Sequence, residues 1–504
     1  MSVRPLLAWL GLAVTAVAGR SEPAERERNL WPFYVAQHDA ATGTDTWQAA
    51  GPLVFERPRA DAAGNTASGF RPFWVRLDHP EHGFRAGYAL YPLFTYDTDG
   101  TTYHWSVFQL IRRWGRHEGA APPGTPYDRR REFEVFPFWF SREAGDPEDS
   151  YRAFFPFHGT IKHKLTLEHL SFTAFPFYVR NEKRGVVSRW TPWPFLRVTS
   201  GAAQGWAFWP FYGYTERPDG SRHDTYLWPF GFKAVRMPAA DAPPGTPPRR
   251  DVGILPFYTR STGDGFINED YLWPFFGYTE RSKPQAYRET RYFWPLFLQG
   301  RGTERHVDRW APFYSHSVVK GYDKRWYLWP LVRRAQWSDD DRVERTRTQF
   351  LYFLYWNEVQ RSLGRTPKAP AELTHIWPFV SAWDNGAGRR QWQWFSPLEV
   401  FFPRNEKIRH VWSPLLSLAR YERLPSGDER TSVLWNAVTW EKRPAQERTE
   451  FHLGPLLGVT REGGAKRVAV GHGLFGFRRP AGGGWRMFWL DFPAKPASST
   501  SAPR

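Results

Sequence analysis

His79 and His82 stand three positions apart around Pro80-Glu81, close enough for two imidazoles to meet one metal ion. Zinc chemistry would need further ligands converging on them, and this segment reads as a hairpin tip without such context. Asp97-Thr98-Asp99-Gly100 opens like a calcium loop, whose alternating carboxylates supply oxygen ligands, but the later ligand positions are missing. Gly471-His472-Gly473-Leu474-Phe475-Gly476 matches the glycine pattern of a dinucleotide turn. That chemistry requires a helix next, with its N-terminus facing the pyrophosphate. Phe477-Arg478-Arg479-Pro480 and the glycines after it cannot form that helix, so the segment is expected to be a corner between repeats. Asp339-Asp340-Asp341 reads as a solvated turn. No metalloprotease helix signature, phosphate-binding loop or nucleophile elbow occurs. Carboxylates facing one another in the fold could hydrolyse glycosides, but spacing along the chain does not place them. The sequence assigns no catalytic, cofactor-binding or metal-binding residue, and a non-enzymatic protein without cofactors is expected.

What positions the side chains is a repeat. Leu30-Trp31-Pro32-Phe33, Phe175-Pro176-Phe177-Tyr178, Trp228-Pro229-Phe230 and Trp377-Pro378-Phe379 share an aromatic-Pro-aromatic core. Phe208 to Arg217 and Leu272 to Arg281, built on Trp209-Pro210-Phe211 and Trp273-Pro274-Phe275, agree at eight of ten positions. Trp294 and Trp329 stand at the same place before Pro295 and Pro330. The motif prolines fall at 32, 52, 72 and 92, run from 137 to 330, and resume at 378, 397, 414 and 455. A longer period overlies the short one: Phe108, Phe230, Phe353 and Phe475 are separated by 122, 123 and 122 residues. The Pro-rich stretch Ala121 to Pro126 returns at Ala242 to Pro247, with an echo at Thr366-Pro367. Four blocks of about six units follow, at 30–140, 141–260, 261–382 and 383–492. Trp31, Trp209, Trp228, Trp273, Trp294, Trp329 and Trp377 define the repeat, with Pro210, Pro229, Pro274 and the four phased Phe residues. They are read as structural, with ligand-lining as a second role.

Between motifs stand turn formers such as Thr98-Asp99-Gly100 and Arg217-Pro218-Asp219-Gly220. Asp-Gly between apolar runs signals a hairpin, because both residues tolerate positive φ. The flanking Tyr, Phe, Trp, Thr and Val favour pleated strands, and no stretch shows a capped helical period. The expected fold is all-β: a closed, pseudo-four-fold ring or shallow barrel of antiparallel hairpins, about 24 strand units of roughly 20 residues. Proline sits badly inside a strand, so each motif is read as a bend at the base of the ring, with polar tips outward. The motif aromatics are expected to pack as core.

These W-P-F units resemble a group of exported bacterial repeat proteins predicted to form flower-shaped shallow β-barrels with hairpin petals. The resemblance covers about residues 30 to 492. That fold is itself similar to the tubby-type barrel, which implies lipid or membrane association. No tubby motif maps onto particular residues, so the resemblance brings no site.

Composition sets the partners. Residues 1–18 read as a secretory signal: Met1 to Arg4, then apolar Leu6 to Val17, then Ala16-Val17-Ala18 for cleavage. Residues 19–29 read as a linker and 493–504 as a disordered tail. The absence of Cys excludes disulfides and an N-terminal lipid-bearing cysteine, so the expectation is export to the periplasm or cell envelope, not as a lipoprotein. The formal charge of +17 and the 28 Trp suit anionic lipid, a membrane surface or an envelope polymer. Nucleic acid is not expected for an exported chain. The expected function is a membrane-, lipid- or polymer-associated binding or scaffold protein. An outer-membrane β-barrel and a carbohydrate-binding repeat protein are the alternatives.

Overall fold

The computed structural model describes residues 27–492, apart from 40–43, 59–64, 81–82, 118–129, 341, 365–367 and 404. The expected signal, most of the linker, the tail, His82, Asp341, the Ala121 to Pro126 tip and Thr366-Pro367 lie outside the described residues. The chain divides into two compact units, one of residues 52–425 and one of 1–51 with 426–504.

The chain is all-β: 45 strands, β1 (Glu27–Leu30) to β45 (Arg486–Trp489), form one antiparallel sheet in which sequence neighbours pair. The strand count corrects the expectation of about 24, and the reason lies in the proline motif. Phe33 N donates to Leu30 O at 2.9 Å, and the Trp31–Pro32 peptide is cis. A four-residue turn closed by such a hydrogen bond reverses the chain. The motif is therefore a hairpin turn joining two strands, where a bend in the middle of one was expected. Each unit of about 20 residues holds a strand, a proline turn and a second strand. Cis prolines stand in the same place at Pro210, Pro229, Pro274, Pro295, Pro330 and Pro378.

The opposite ends of the hairpins use polar turns. Asp99 Oδ1 accepts from the Thr101 amide at 2.8 Å and from the Thr102 amide. Those bonds hold the Asp99 carboxyl well below the usual carboxylate range. Its oxygens are thus engaged in a hairpin turn. Residues 471–474 likewise form a turn, followed by strand β44 (Phe475–Arg479), in keeping with a corner at the glycine pattern.

The sheet is open, which departs from the expected ring: among the described residues no pairing joins β45 to β1. The outer strand is met by a side chain instead, since Glu27 N donates to the Glu450 carboxylate at 3.4 Å. An edge amide satisfied in this way does not need a neighbouring strand.

Two short helices correct the expectation of none: α1 (Glu406–Val411) and α2 (Ser413–Leu416). Asn405 caps α1, its side-chain oxygen accepting from Lys407 N at 3.0 Å and Ile408 N at 3.2 Å. Pro414, counted among the motif prolines, begins α2. Val411 is fully buried against Phe55, Ala67, Val75, Leu77, Ala86 and Tyr88. Trp412 Nε1 donates to Tyr91 O at 2.8 Å. The helix thus covers one face of strands 54–89.

The expected aromatic core is also corrected. Among the described residues Trp356 is the one buried Trp. Apolar clusters are small, and between them the faces of the sheet carry charged networks. Arg291, for example, is held by Asp270 at 2.9 Å and Glu289 at 3.0 Å. Paired in this way, a charge can lie within a thin sheet without an apolar layer.

Candidate functional site

In a meander whose strands pair in sequence order, alternate turns fall on alternate edges. Within each of the two compact units the topology therefore gathers the proline turns along one edge and the polar tips along the other. The proline edge is also hydrogen-bonded along its length: Leu227 N donates to Phe211 O at 2.7 Å and Trp228 N to Pro210 O at 2.6 Å. The same pair recurs from Leu328 and Trp329 to Phe313 and Pro312, at 2.8 and 2.6 Å. Each turn is thereby fixed by the one before it.

Rigid turns hold their side chains outward. Among the most exposed rings are several that follow proline: Phe33, Phe177, Phe257 and Phe313 at 80, 67, 64 and 68%. At some turns the residue before the turn leans on the one after proline, with ring centroids 5.1 Å apart for Phe154 and Phe157 and 5.2 Å for Phe208 and Phe211. Residues before proline contact one another from turn to turn. Phe155, Phe175 and Trp193 follow at 5.1 and 5.4 Å, and Trp209 meets Trp228 at 5.8 Å. The edge thus carries many rings open to solvent, some of them in contact with a neighbouring ring.

Every repeat-defining residue lies on or beside this edge. Trp228, Trp273, Trp294 and Trp329 are exposed, whereas Trp31, Trp209 and Trp377 are half-buried. Trp377 Nε1 donates to Pro397 O at 3.1 Å. Pro229 is exposed, and Pro210 and Pro274 are half-buried. Phe108 opens one turn, Phe230 closes another, Phe353 lies within the turn at 351–354, and Phe475 starts β44. Phe353 is half-buried against Trp377 and Phe401, each at 5.3 Å. Phe108, Phe230 and Phe475 are exposed. Of the residues after proline, Phe230 alone was singled out by sequence, although position in the motif was the available signal for the others.

One other polar constellation resembles catalytic machinery. His375 Nδ1 lies 2.6 Å from Ser381 Oγ, which donates to Ser396 Oγ at 2.7 Å, and Gln393 Nε2 donates to the same hydroxyl at 2.7 Å. The nearby Glu399 carboxylate accepts from Ser413 Oγ at 2.5 Å, and burial raises it above the usual carboxylate range despite Ser413 and Arg409. A serine beside an imidazole is the arrangement of a nucleophile and its base. Here Ser381 is 0% and His375 1% exposed, so no substrate reaches them, and the pair serves packing.

Burial, aided by Arg409, pushes the His375 imidazole down to about 4. Its folded value lies below the unfolded one, so the unfolded chain takes up the proton first. The stability associated with neutral His375 is complete above about pH 6.5 and is lost as the pH falls toward 4. An NMR titration should place the His375 midpoint near 4, and His375→Gln should flatten stability between those limits. A midpoint near 6.5 would contradict the buried, neutral assignment.

Comparison with known proteins finds no matching family model and no similar curated protein.

Proposed function

We propose that this chain is a non-enzymatic, exported envelope protein that binds a membrane surface through its proline edge. One observation carries the reading: the chain's aromatic turns share an edge and leave their rings in solvent. Aromatic side chains favour the boundary between water and lipid headgroups, where a flat apolar ring and a polar backbone are both accommodated. Burying rings in the headgroup region recovers the free energy that solvent exposure costs.

Strand length argues against the outer-membrane barrel. Among the described residues the strands run from 4 residues, as in β1, to 8, as in Val332–Asp339, whereas a tilted membrane-spanning strand needs about 9–11. A carbohydrate-binding role retains one specific support, the exposed Trp228 and Trp329 rings on which a sugar could stack.

Flotation of the full chain with phosphatidylcholine vesicles tests the reading, with bromine-labelled acyl chains reporting the depth of Trp. Binding with quenched Trp fluorescence is expected. Protein that stays at the bottom of the gradient with both neutral and anionic vesicles would sink it, and glycan-dependent quenching would favour the carbohydrate reading.

A further inference from the structure

The edge opposite the prolines carries its own feature. Two adjoining grooves of about 780 and 760 Å³ run across the hairpin tips at residues 263–267, 280–288, 301–306 and 318–321, sharing Gly302 and Thr303. Both are shallow and open to solvent along the tips. Arg281, Arg288, Arg301, Arg305 and Lys320 line them, against Glu280 and Glu304.

Those cations are not equivalent. Arg301 is engaged by both oxygens of Asp308, at 2.7 and 2.9 Å, and Arg288 meets Glu280 at 3.2 Å. Among the described residues Arg281 and Lys320 have no carboxylate partner, and Arg305 reaches only Glu289, at 3.6 Å. Two guanidinium groups are also oriented by rings. Arg281 stands 5.5 Å from the Phe266 ring centroid, and Arg305 lies 4.6 Å over Tyr287. A stacked guanidinium keeps its N–H edge free and matches the two oxygens of a carboxylate. Successive tips are two strands apart, about 10 Å at sheet spacing. A ligand engaging Arg281, Arg305 and Lys320 together must therefore be extended and carry repeated negative charge.

We propose that these tip grooves bind an acidic polysaccharide, its carboxylates received by Arg281, Arg305 and Lys320. The choice of a glycan over an anionic lipid rests on the membrane reading above. With the proline edge at the bilayer, the tips stand a strand's length away, roughly 20 Å for six residues. At that distance they face the aqueous space where polymers lie.

The test uses the full chain with polygalacturonate, neutral dextran and phosphatidylglycerol vesicles as probes. Polygalacturonate should bind, more weakly as salt is raised, and dextran should not. The exposed triple variant Arg281→Ala/Arg305→Ala/Lys320→Ala should lose at least about tenfold in polygalacturonate affinity while unfolding at an unchanged temperature. Arg281→Gln alone should move affinity in the same direction, should the triple variant fail to fold. Absence of polygalacturonate binding, or equal binding by these variants, would overturn the proposal. So would loss of vesicle binding in the triple variant with polygalacturonate binding intact. Substituting Phe177, Phe257 and Phe313 should leave polygalacturonate binding unchanged, so failure of the membrane reading and failure of this one remain distinguishable.

Discussion

Replacing Phe177, Phe257 and Phe313 together by serine is expected to weaken binding to neutral vesicles on the order of a hundredfold. Full burial of one such ring is worth about 1.5–3 kcal/mol. A ring set among headgroups realises part of that, roughly 1 kcal/mol each, and three sum to about two decades in affinity. Folding should be unaffected, because all three side chains are largely in solvent and removing them leaves no cavity. Binding measured by flotation should also depend only weakly on salt, since the aromatic edge is apolar and the tip cations stand farther away than a Debye length. A variant that binds as tightly as the parent would remove the proline edge from the membrane reading. A steep salt dependence would move the contact to the charged faces.

Much of the architecture is written in local chemistry. Asp-Gly turns, β-formers and the recurring proline declare an antiparallel hairpin protein, and Asp99 shows the link most directly: its carboxylate accepts the amides that close the turn. The proline motif is legible as a chain reversal but ambiguous as to scale. A bend within one strand and a turn between two share the same residues, and the bond that closes the turn, from Phe211 N to Phe208 O at 2.9 Å, distinguishes them. Halving the strand count followed from that ambiguity. Burial was misjudged for a related reason. Aromatics at fixed positions are usually core, yet a turn at the margin of a thin sheet has no second layer to cover Phe33 or Phe313. Helix α1 left no trace because six residues are too few for a period, and its anchor, Val411 against Phe55 and Val75, is set by contacts far along the chain. The tip grooves escaped for the same reason, since Arg281, Arg305 and Lys320 come together only through pairing.

Glu450→Gln should destabilise the unit that contains it by about 3–5 kcal/mol. Glu450 is buried with its partners: Arg448 Nη2 donates to Oε2 at 2.7 Å, and His452 Nε2 lies 2.9 Å from Oε1. The side chains of Arg448, Glu450 and His452 are 3, 3 and 4% exposed. Burial alone would raise the Glu450 carboxyl, but His452 and Arg448 outweigh it and hold the group at about 2. A folded value below the unfolded 4.5 means that the unfolded chain protonates first as acid is added. The stabilisation is complete above about pH 4.5 and disappears as the pH falls through about 2. Glutamine keeps the shape but removes the charge, leaving Arg448 with Glu462 at 2.7 Å. Urea denaturation should show a lower midpoint for the variant at pH 7, with the difference from the parent shrinking below pH 4.5. Hydrogen exchange should locate the loss in the strands around Arg448–Leu453. Replacing Arg448 and Glu450 together by Met and Leu should cost less than Glu450→Gln alone, because no buried charge loses its partner within that pair. If the single and double variants are equally stable, the ion pair contributes nothing beyond shape, and the acid sensitivity of this unit must come from other carboxylates.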